Sequence, residues 1–558
     1  MRHRLVFIVV VGAILLAAAR ASAQAPSLAG AAHRAVRPGA TTQVVLRGSN
    51  LSGSVSVSAE GGLIPAAAKA SVSGDGPDRV KWTVDVPPEQ PVGVGVIRLV
   101  TRDGVSNALP IMVDDLPSVA AATGNSSPPA AQAVTPPVAV DGACSAGASD
   151  YYRFAAKKGQ RISVEVVAAR LGSQLDPAVR LLDAGGNELV AIDDTPGVGP
   201  DCRFAHTFAA DGDYLLELRD SAYAGGNELF YRLRVGDFPL ATVPFPLGVR
   251  RGTTQAFTFT GSDSAGAAPV TAAIPADALK QLRLSARYVG ERGKAGGSGF
   301  VAAAVGERDE AVEAEPNDSP ESATSLTAAP PLAFNGRFDR LGDRDFYRLA
   351  AKKGERRIFS ARTRSLGSPC DVRMQLLSPG GKKLAESKVE GAGEGTLDAT
   401  FPEDGDYRLM VEDLNRAGGP GLAYRIAVER YTPGFSLSVD TDRVNAKAGE
   451  SFDVKVTCVR RDYAGPIAVW VEGAGITSEA STIPTGKSEG VVKAKAPPAA
   501  PAGGAGTFKI VGTAEIGGEK IEAEASTMPA LRRLYPRLLY PPDESDGVLV
   551  LGVRVPAE

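Results

Sequence analysis

The chain has 558 residues, with 61 basic against 64 acidic residues and a formal charge of −3. That balance leaves no basic footprint for nucleic acid, and a 44% hydrophobic content excludes a wholly disordered or collagen-like chain. The only histidines are His3, His33 and His206, which starves most hydrolase and zinc mechanisms. At roughly 100–200 residues per domain, the length predicts three to five domains.

Arg2, His3 and Arg4 open the chain, Leu5 to Ala19 is apolar, and Ala21-Ser22-Ala23 supplies a small-residue cleavage site. This pattern predicts a secretory signal peptide over 1–23; the apolar run is short for a membrane span. No Cys follows the cleavage site, and no later stretch approaches the length of a span, so no lipid or transmembrane anchor is expected. Removal of Arg2, Arg4 and Arg20 leaves 58 basic against 64 acidic residues. The expected location is secreted, periplasmic or cell-surface, where disulfides can persist. Cys144, Cys202, Cys370 and Cys458 show no C-x-x-C spacing, which excludes a zinc ribbon or redox motif.

The chain then repeats itself. Asp150-Tyr151-Tyr152-Arg153-Phe154-Ala155-Ala156-Lys157-Lys158-Gly159 parallels Asp345-Phe346-Tyr347-Arg348-Leu349-Ala350-Ala351-Lys352-Lys353-Gly354. Gly212-Asp213-Tyr214 parallels Gly405-Asp406-Tyr407, and Tyr231 parallels Tyr424. A weaker repeat precedes each copy: Arg37-Pro38-Gly39 with Thr41-Thr42-Gln43, and Arg251-Gly252-Thr253-Thr254-Gln255. The order is A-B-A′-B′ and a further segment from about Tyr431. Tyr214, Leu216 and Leu218 alternate, as do Tyr407, Leu409 and Val411, and Phe452, Val454, Val456 and Cys458. Period-two alternation between Gly-rich turns predicts an all-β chain of tandem antiparallel sandwiches. The expected divisions are 24–115, 116–237, 238–310, 311–430 and 431–527, then a C-terminal tail, 528–558, with one final strand.

Glu315-Pro316-Asn317-Asp318, Gly342-Asp343-Arg344-Asp345-Phe346-Tyr347 and Gly405-Asp406-Tyr407 together resemble the bacterial pre-peptidase C-terminal (PPC) domain. The resemblance covers 116–237 and 311–430. The A segments resemble immunoglobulin-like modules of the IPT/TIG type, and 431–527 resembles a generic Ig-like domain. The PPC resemblance implies accessory functions, namely adhesion, substrate targeting or secretion support. It also implies a calcium site at Glu313, Glu315, Asn317, Asp318, Asp343 and Asp345. The residue types agree, because Ca²⁺ takes six to eight hard oxygens; the alternative is a solvated acidic linker. In the first copy Thr123-Gly124-Asn125-Ser126 replaces the acidic linker and Ala148 replaces Asp343, so no calcium is expected there. That copy carries Cys144 and Cys202 instead, which suggests a disulfide as its staple.

Gly486-Lys487-Ser488-Glu489-Gly490 matches the G-x-S-x-G string of serine hydrolases, but its surroundings read as β and no histidine is placed to serve it. His206, between Phe204 and Phe208, reads as a packed core residue. Cys370 and Cys458 read as buried thiols. The expectation is therefore an exported, non-catalytic binding or scaffold protein, presenting sandwich loops or faces to an extracellular protein or polysaccharide. The alternative is an accessory component of a secreted peptidase system whose catalytic domain is absent from this chain.

Overall fold

The computed structural model describes residues 24–554 apart from 66–67, 75, 278–279, 291–295, 390–392 and 500–503. The expected signal peptide, 1–23, lies outside the described residues. Strands carry the architecture, and among the described residues the α-helical content is one segment, Met528–Leu534. The fold is all-β, as the alternation in the sequence requires.

The two copies of the long repeat share one topology. In the first, one sheet runs Ser118–Ala120, Val138–Ala143, Phe230–Gly236, Arg161–Val167, Arg203–Thr207. The other runs Gln132–Ala133, Asp150–Ala156, Gly212–Asp220, Pro177–Leu182, Glu188–Ile192. The second copy repeats both orders, with Asp309–Val312, Leu332–Arg337, Ala423–Arg430, Arg356–Arg362 and Thr396–Thr400 facing Thr324–Leu326, Arg344–Ala351, Gly405–Asp413, Val372–Leu377 and Lys383–Glu386. In each copy the two N-terminal edge strands join parallel and the other pairings are antiparallel. The alternating residues face inward: Tyr214, Leu216 and Leu218 in one core, Tyr407, Leu409 and Val411 in the other.

The first unit packs Ser27–Ala32, Ala40–Ser49, Arg79–Val86 and Ala70–Gly74 against a sheet built on Leu109–Val113, Gly93–Thr101 and Ser54–Ala59. Trp82 lies in its core. The third unit is smaller, three strands on three, around Phe257.

The C-terminal segment corrects the expectation of a domain ending at 527 with a separate tail. Its last strand, Leu549–Arg554, pairs parallel with Arg443–Lys447 and antiparallel with Ala505–Ile516, inside the fifth unit's sheet. The chain between threads past the other units. Leu531 packs on Val96 and Ala108 of the first, and Arg537 stands 3.5 Å from Asp176 of the second. Asp543 accepts from Arg362 of the fourth at 2.6 Å.

The units therefore meet out of chain order, and buried ion pairs and hydrogen bonds hold the joints. Arg98 of the first unit donates to Asp442 of the fifth at 2.6 Å, with both side chains buried. Arg232 and Arg234 of the second converge on Asp114 of the first. Asn335 of the fourth accepts from the amides of Leu247 and Gly248 of the third, at 3.0 and 3.1 Å. Buried charges are tolerated only when paired, so the ion pairs fix the first unit against the second and the fifth.

Candidate metal site

The acidic linker is hooked onto the fourth unit by its backbone. Glu313 N donates to Asn335 O at 3.0 Å, prolonging the strand that ends at Val312. Thr324 Oγ1 accepts from Ala314 N and donates to Ala314 O, at 3.1 and 3.2 Å. Asn317, fully buried, accepts on its carbonyl from Phe346 N at 2.9 Å. These bonds lay the linker across the start of Arg344–Ala351, where Asp345 points inward.

Glu313, Glu315 and Asp345 converge there: one carboxylate oxygen of each lies within 4.8 Å of the others. The amide of Asn317 stands 3.1 Å from Asp345 Oδ1 and 3.2 Å from Glu315 Oε1. Turned nitrogen-first it donates to both; turned oxygen-first it adds a fourth oxygen to a cation. Asp343 is buried beside them. Its Oδ2 accepts from Asp339 N at 2.7 Å, while its Oδ1 has no hydrogen-bond partner and lies 3.5 Å from Arg340 Nη2. Asp318 is turned outward and held by Arg340. Of the six residues read from the sequence, the structure thus converges three, sets Asn317 against them, and places Asp343 and Asp318 toward Arg340.

Two residues of the site escaped the sequence reading. Tyr424 Oη donates to Asp345 Oδ2 at 2.5 Å, and Tyr347 Oη to Glu313 Oε2 at 3.3 Å. The two hydroxyls lie 2.7 Å apart. Their signal was present: an inward-facing tyrosine at the same place in both copies needs a partner for its hydroxyl. Gly336 makes room for them, since a Cβ there would overlap both hydroxyl oxygens.

Burial pushes the Glu313 carboxyl up to about 8, and Arg337 N, donating at 2.7 Å, offsets only part of that. Burial, reinforced by the charge of Glu313, pushes Asp345 up to about 9. Metal-free, both groups hold protons at neutral pH. Oxygen-only donors at this spacing are the donor type that hard cations take.

The first copy builds the same frame with Asp150 as its one carboxylate. Tyr151 N donates to Asn125 O at 2.8 Å, Tyr231 Oη donates to Asp150 Oδ2 at 2.5 Å, and the Tyr152 and Tyr231 hydroxyls pair. The positions of Glu313, Glu315 and Asp343 carry Ala121, Thr123 and Ala148. The hook, the Asn–Asp contact and the tyrosine pair therefore belong to the fold. The three extra carboxylates do not.

The disulfide expected between Cys144 and Cys202 is corrected: both are free, buried thiols, as are Cys370 and Cys458. Cys144 follows Val138–Ala143 and Cys202 precedes Arg203–Thr207, with Phe230–Gly236 and Arg161–Val167 between those strands. Three inter-strand steps span about 14 Å, against a Cα separation of at most about 7 Å for a disulfide. Gly486 to Gly490 runs through a turn into Glu489–Lys495, and the Ser488 carbonyl accepts from Cys458 N at 2.7 Å. That is β-turn-β, not the strand–turn–helix of a nucleophile elbow. His206 is half-buried, its ring 5.0 Å from Phe208.

No family model matches the chain, and no curated protein matches it. Among solved structures, the chain is similar to the secreted serine protease VesC from Vibrio cholerae at 9% identity, over 38% of this chain and 49% of that one, with a TM-score of 0.14. It is similar to a Salmonella alpha-2-macroglobulin variant at 9% identity, over 90% and 46%, with a TM-score of 0.15. The chain spans about half the length of these two structures. The four N-terminal Ig domains of Dscam1 isoform 4.44 match at 11% identity, over 90% and 98%, with a TM-score of 0.15. At such scores these likenesses carry no functional argument. Among the described residues, no helix is long and apolar enough to cross a membrane.

Proposed function

We propose that this is an exported, non-catalytic binding or scaffold protein, whose fourth unit takes a calcium ion between Glu313, Glu315, Asp345 and the oxygen of Asn317. One observation carries the metal reading. The first copy attains the same ten-strand fold with Ala121, Thr123 and Ala148 where the fourth unit has Glu313, Glu315 and Asp343. Removing a carboxylate from water beside other carboxylates costs several kcal/mol unless a cation compensates, and the fold does not need the buried Asp343 or the half-buried Glu313. When bound, the ion supplies charge compensation and ties the linker to the first strands of the unit. The binding reading rests on multiple β-sandwich units whose joints are held by buried ion pairs and hydrogen bonds, which keep loops and faces in a set arrangement. Extracellular proteins or polysaccharides are the partner classes that such surfaces serve.

Calorimetric titration of the exported chain with CaCl₂ tests the site. The expected result is one ion per chain with a dissociation constant of about 0.1–1 mM, the range of extracellular calcium modules. Asp345→Asn and Glu313→Gln are each expected to abolish it, and Asp150→Asn to leave it unchanged. Heat that survives both fourth-unit variants, or no heat in wild type, rejects the assignment.

A further inference from the structure

Arg34 lies between the strands Ser27–Ala32 and Ala35–Val36 of the first unit, where that unit meets the second. Its backbone is pinned at the joint: its amide donates to Asp141 Oδ2 of the second unit at 3.2 Å, and its carbonyl accepts from Met112 N at 3.0 Å. Its guanidinium is not pinned in this way. The guanidinium carbon stands 3.6 Å from the centre of the Phe230 ring, a contact that uses none of its N–H donors. Among the described residues, neither Arg34 nor Arg47 makes a hydrogen bond or ion pair through its guanidinium. The unbonded nitrogens of Arg34 are open to solvent, not sealed in the joint.

Arg47 joins Arg34 on one face. Gly30 pairs directly opposite Arg47 where Ser27–Ala32 meets Ala40–Ser49, and opposite residues of an antiparallel pair project from the same face. A Cβ on Gly30 would lie 3.8 Å from Arg34 Nη1, so the Arg34 guanidinium comes over the face from which Arg47 projects. Both arginines line a cavity of about 340 Å³, together with His33, Ala29, Ala32 and Ala120. The volume is that of a small-molecule site. The one carboxylate on its wall, Asp141, is already answered by Arg232, which donates to both of its oxygens at 2.9 Å.

Arginines at the other joints are bound by carboxylates: Arg98 by Asp442, Arg234 by Asp114 and Arg362 by Asp543. Arg34 lacks such a partner. Burial lowers its pKa to about 10, the charge of Asp141 offsets only part of that, and the charge of Arg47 adds to it. Two like charges sharing a partly desolvated cavity call for an anion. The guanidinium fork matches the two oxygens of a carboxylate, and the alanine wall suits a short hydrocarbon body behind them. We propose that this cavity binds an organic carboxylate, with Arg34 and Arg47 donating to its oxygens and the alanines flanking its stem.

Calorimetry on the full exported chain in low-chloride buffer tests this with butyrate, its uncharged counterpart butyramide, Nα-acetyl-glutamate methylamide and inorganic phosphate. Both carboxylates are expected to bind, with butyramide weaker than butyrate by at least about tenfold and phosphate, which has no hydrocarbon body, weaker as well. An advantage of the glutamate probe over butyrate assigns the guest as an acidic peptide side chain; comparable affinities, or an advantage of butyrate, assign it as a free carboxylic acid. Arg34→Gln is expected to weaken butyrate binding by about tenfold. Arg47→Gln, at the exposed rim, is expected to weaken it severalfold, which gives a readout should the first variant fail to fold. Arg37→Gln, exposed and outside the cavity, removes the same charge and is expected to leave the affinity unchanged. The proposal is overturned if butyramide or phosphate binds as well as butyrate, or if Arg37→Gln weakens binding as much as Arg47→Gln. It is overturned equally by no heat from either carboxylate up to about 10 mM, or by affinities unmoved in the folded Arg34 and Arg47 variants.

Discussion

Nη2 of Arg234 donates to Oδ1 of Asp114 at 3.0 Å, and both side chains are wholly removed from solvent. Asp114 follows the last strand of the first unit, and Arg234 lies on Phe230–Gly236 of the second. Arg232 Nε takes the other oxygen at 2.8 Å, and Glu165 receives Arg234 Nη1 at 2.6 Å. The joint is thus a buried network of alternating charge, worth most through the cost of breaking it.

Removing the shared carboxylate is the direct way to break it. Asp114→Ala leaves two buried guanidinium groups short of a partner, and is expected to cost about 3–5 kcal/mol at pH 7. Burial alone would raise the Asp114 pKa; the charges of Arg234 and Arg232 outweigh it and hold the group at about 2. A folded-state value below the unfolded value of about 3.9 gives stability that is present above pH 4 and lost as pH falls toward 2. Urea unfolding at several pH values should show the gap between wild type and variant narrowing between about pH 4 and pH 2. A gap that stays constant through that window means the carboxylate is not what holds the joint.

The fourth unit has the opposite sign. Glu313 at about 8 and Asp345 at about 9 titrate far above their unfolded values. The folded chain holds more protons than the unfolded one between roughly pH 4 and 9, so metal-free stability falls as pH rises through that range. A calcium ion bound as proposed would displace those protons, so its affinity should rise with pH up to about 9. Thermal unfolding in EGTA is expected to show the fall, and millimolar calcium to flatten it. A slope that calcium leaves unchanged, or that persists in the Glu313→Gln, Asp345→Asn double variant, removes these two carboxyls as its source.

Much of this was legible in the sequence, for identifiable reasons. Alternation at Tyr214, Leu216 and Leu218 reports which face is buried, and that fixes the fold class. The family resemblance nominated Glu313, Glu315 and Asp345, and alignment of the two copies marked Glu313 and Glu315 as acids the first copy lacks, Asp345 keeping its counterpart Asp150. The Cys144–Cys202 pairing failed because alternation says nothing of lateral position: both thiols face one core, three strands apart.

The free thiols make their own prediction. Burial pushes Cys144 and Cys370 up to about 12, and Cys202 well above its ordinary value. A thiol in that state carries almost no thiolate at neutral pH and reacts slowly. Ellman's reagent at pH 7.5 should modify the folded chain over hours and label all four cysteines promptly in guanidinium chloride. Non-reducing peptide mapping should find no link between Cys144 and Cys202, and reductant should leave the melting temperature unmoved. A recovered cross-linked peptide would show that the second unit's sheet is ordered differently.

Leu531 tests whether the C-terminal segment is a strap or a passenger. It is 2% exposed, on the helix Met528–Leu534, and it packs on Val96 and Ala108 of the first unit rather than in the fifth unit's own core. Tyr535, one position past the helix, donates to the Ala108 carbonyl. Leu531→Ala removes a buried side chain from a contact between units, and a core truncation of this kind costs about 2–5 kcal/mol. The loss should fall on the joint, because the fifth unit's own core, around Val456, Ile510 and Leu551, is untouched. Hydrogen exchange is the measurement that separates the two roles. Faster exchange is expected at the amides of Val96 and Ala108, with that of Leu551 in the final strand unchanged. Equal loosening of the fifth unit's sheet would mean that Leu531 supports its own unit, and that the joint is held by Arg98 and Asp442 instead.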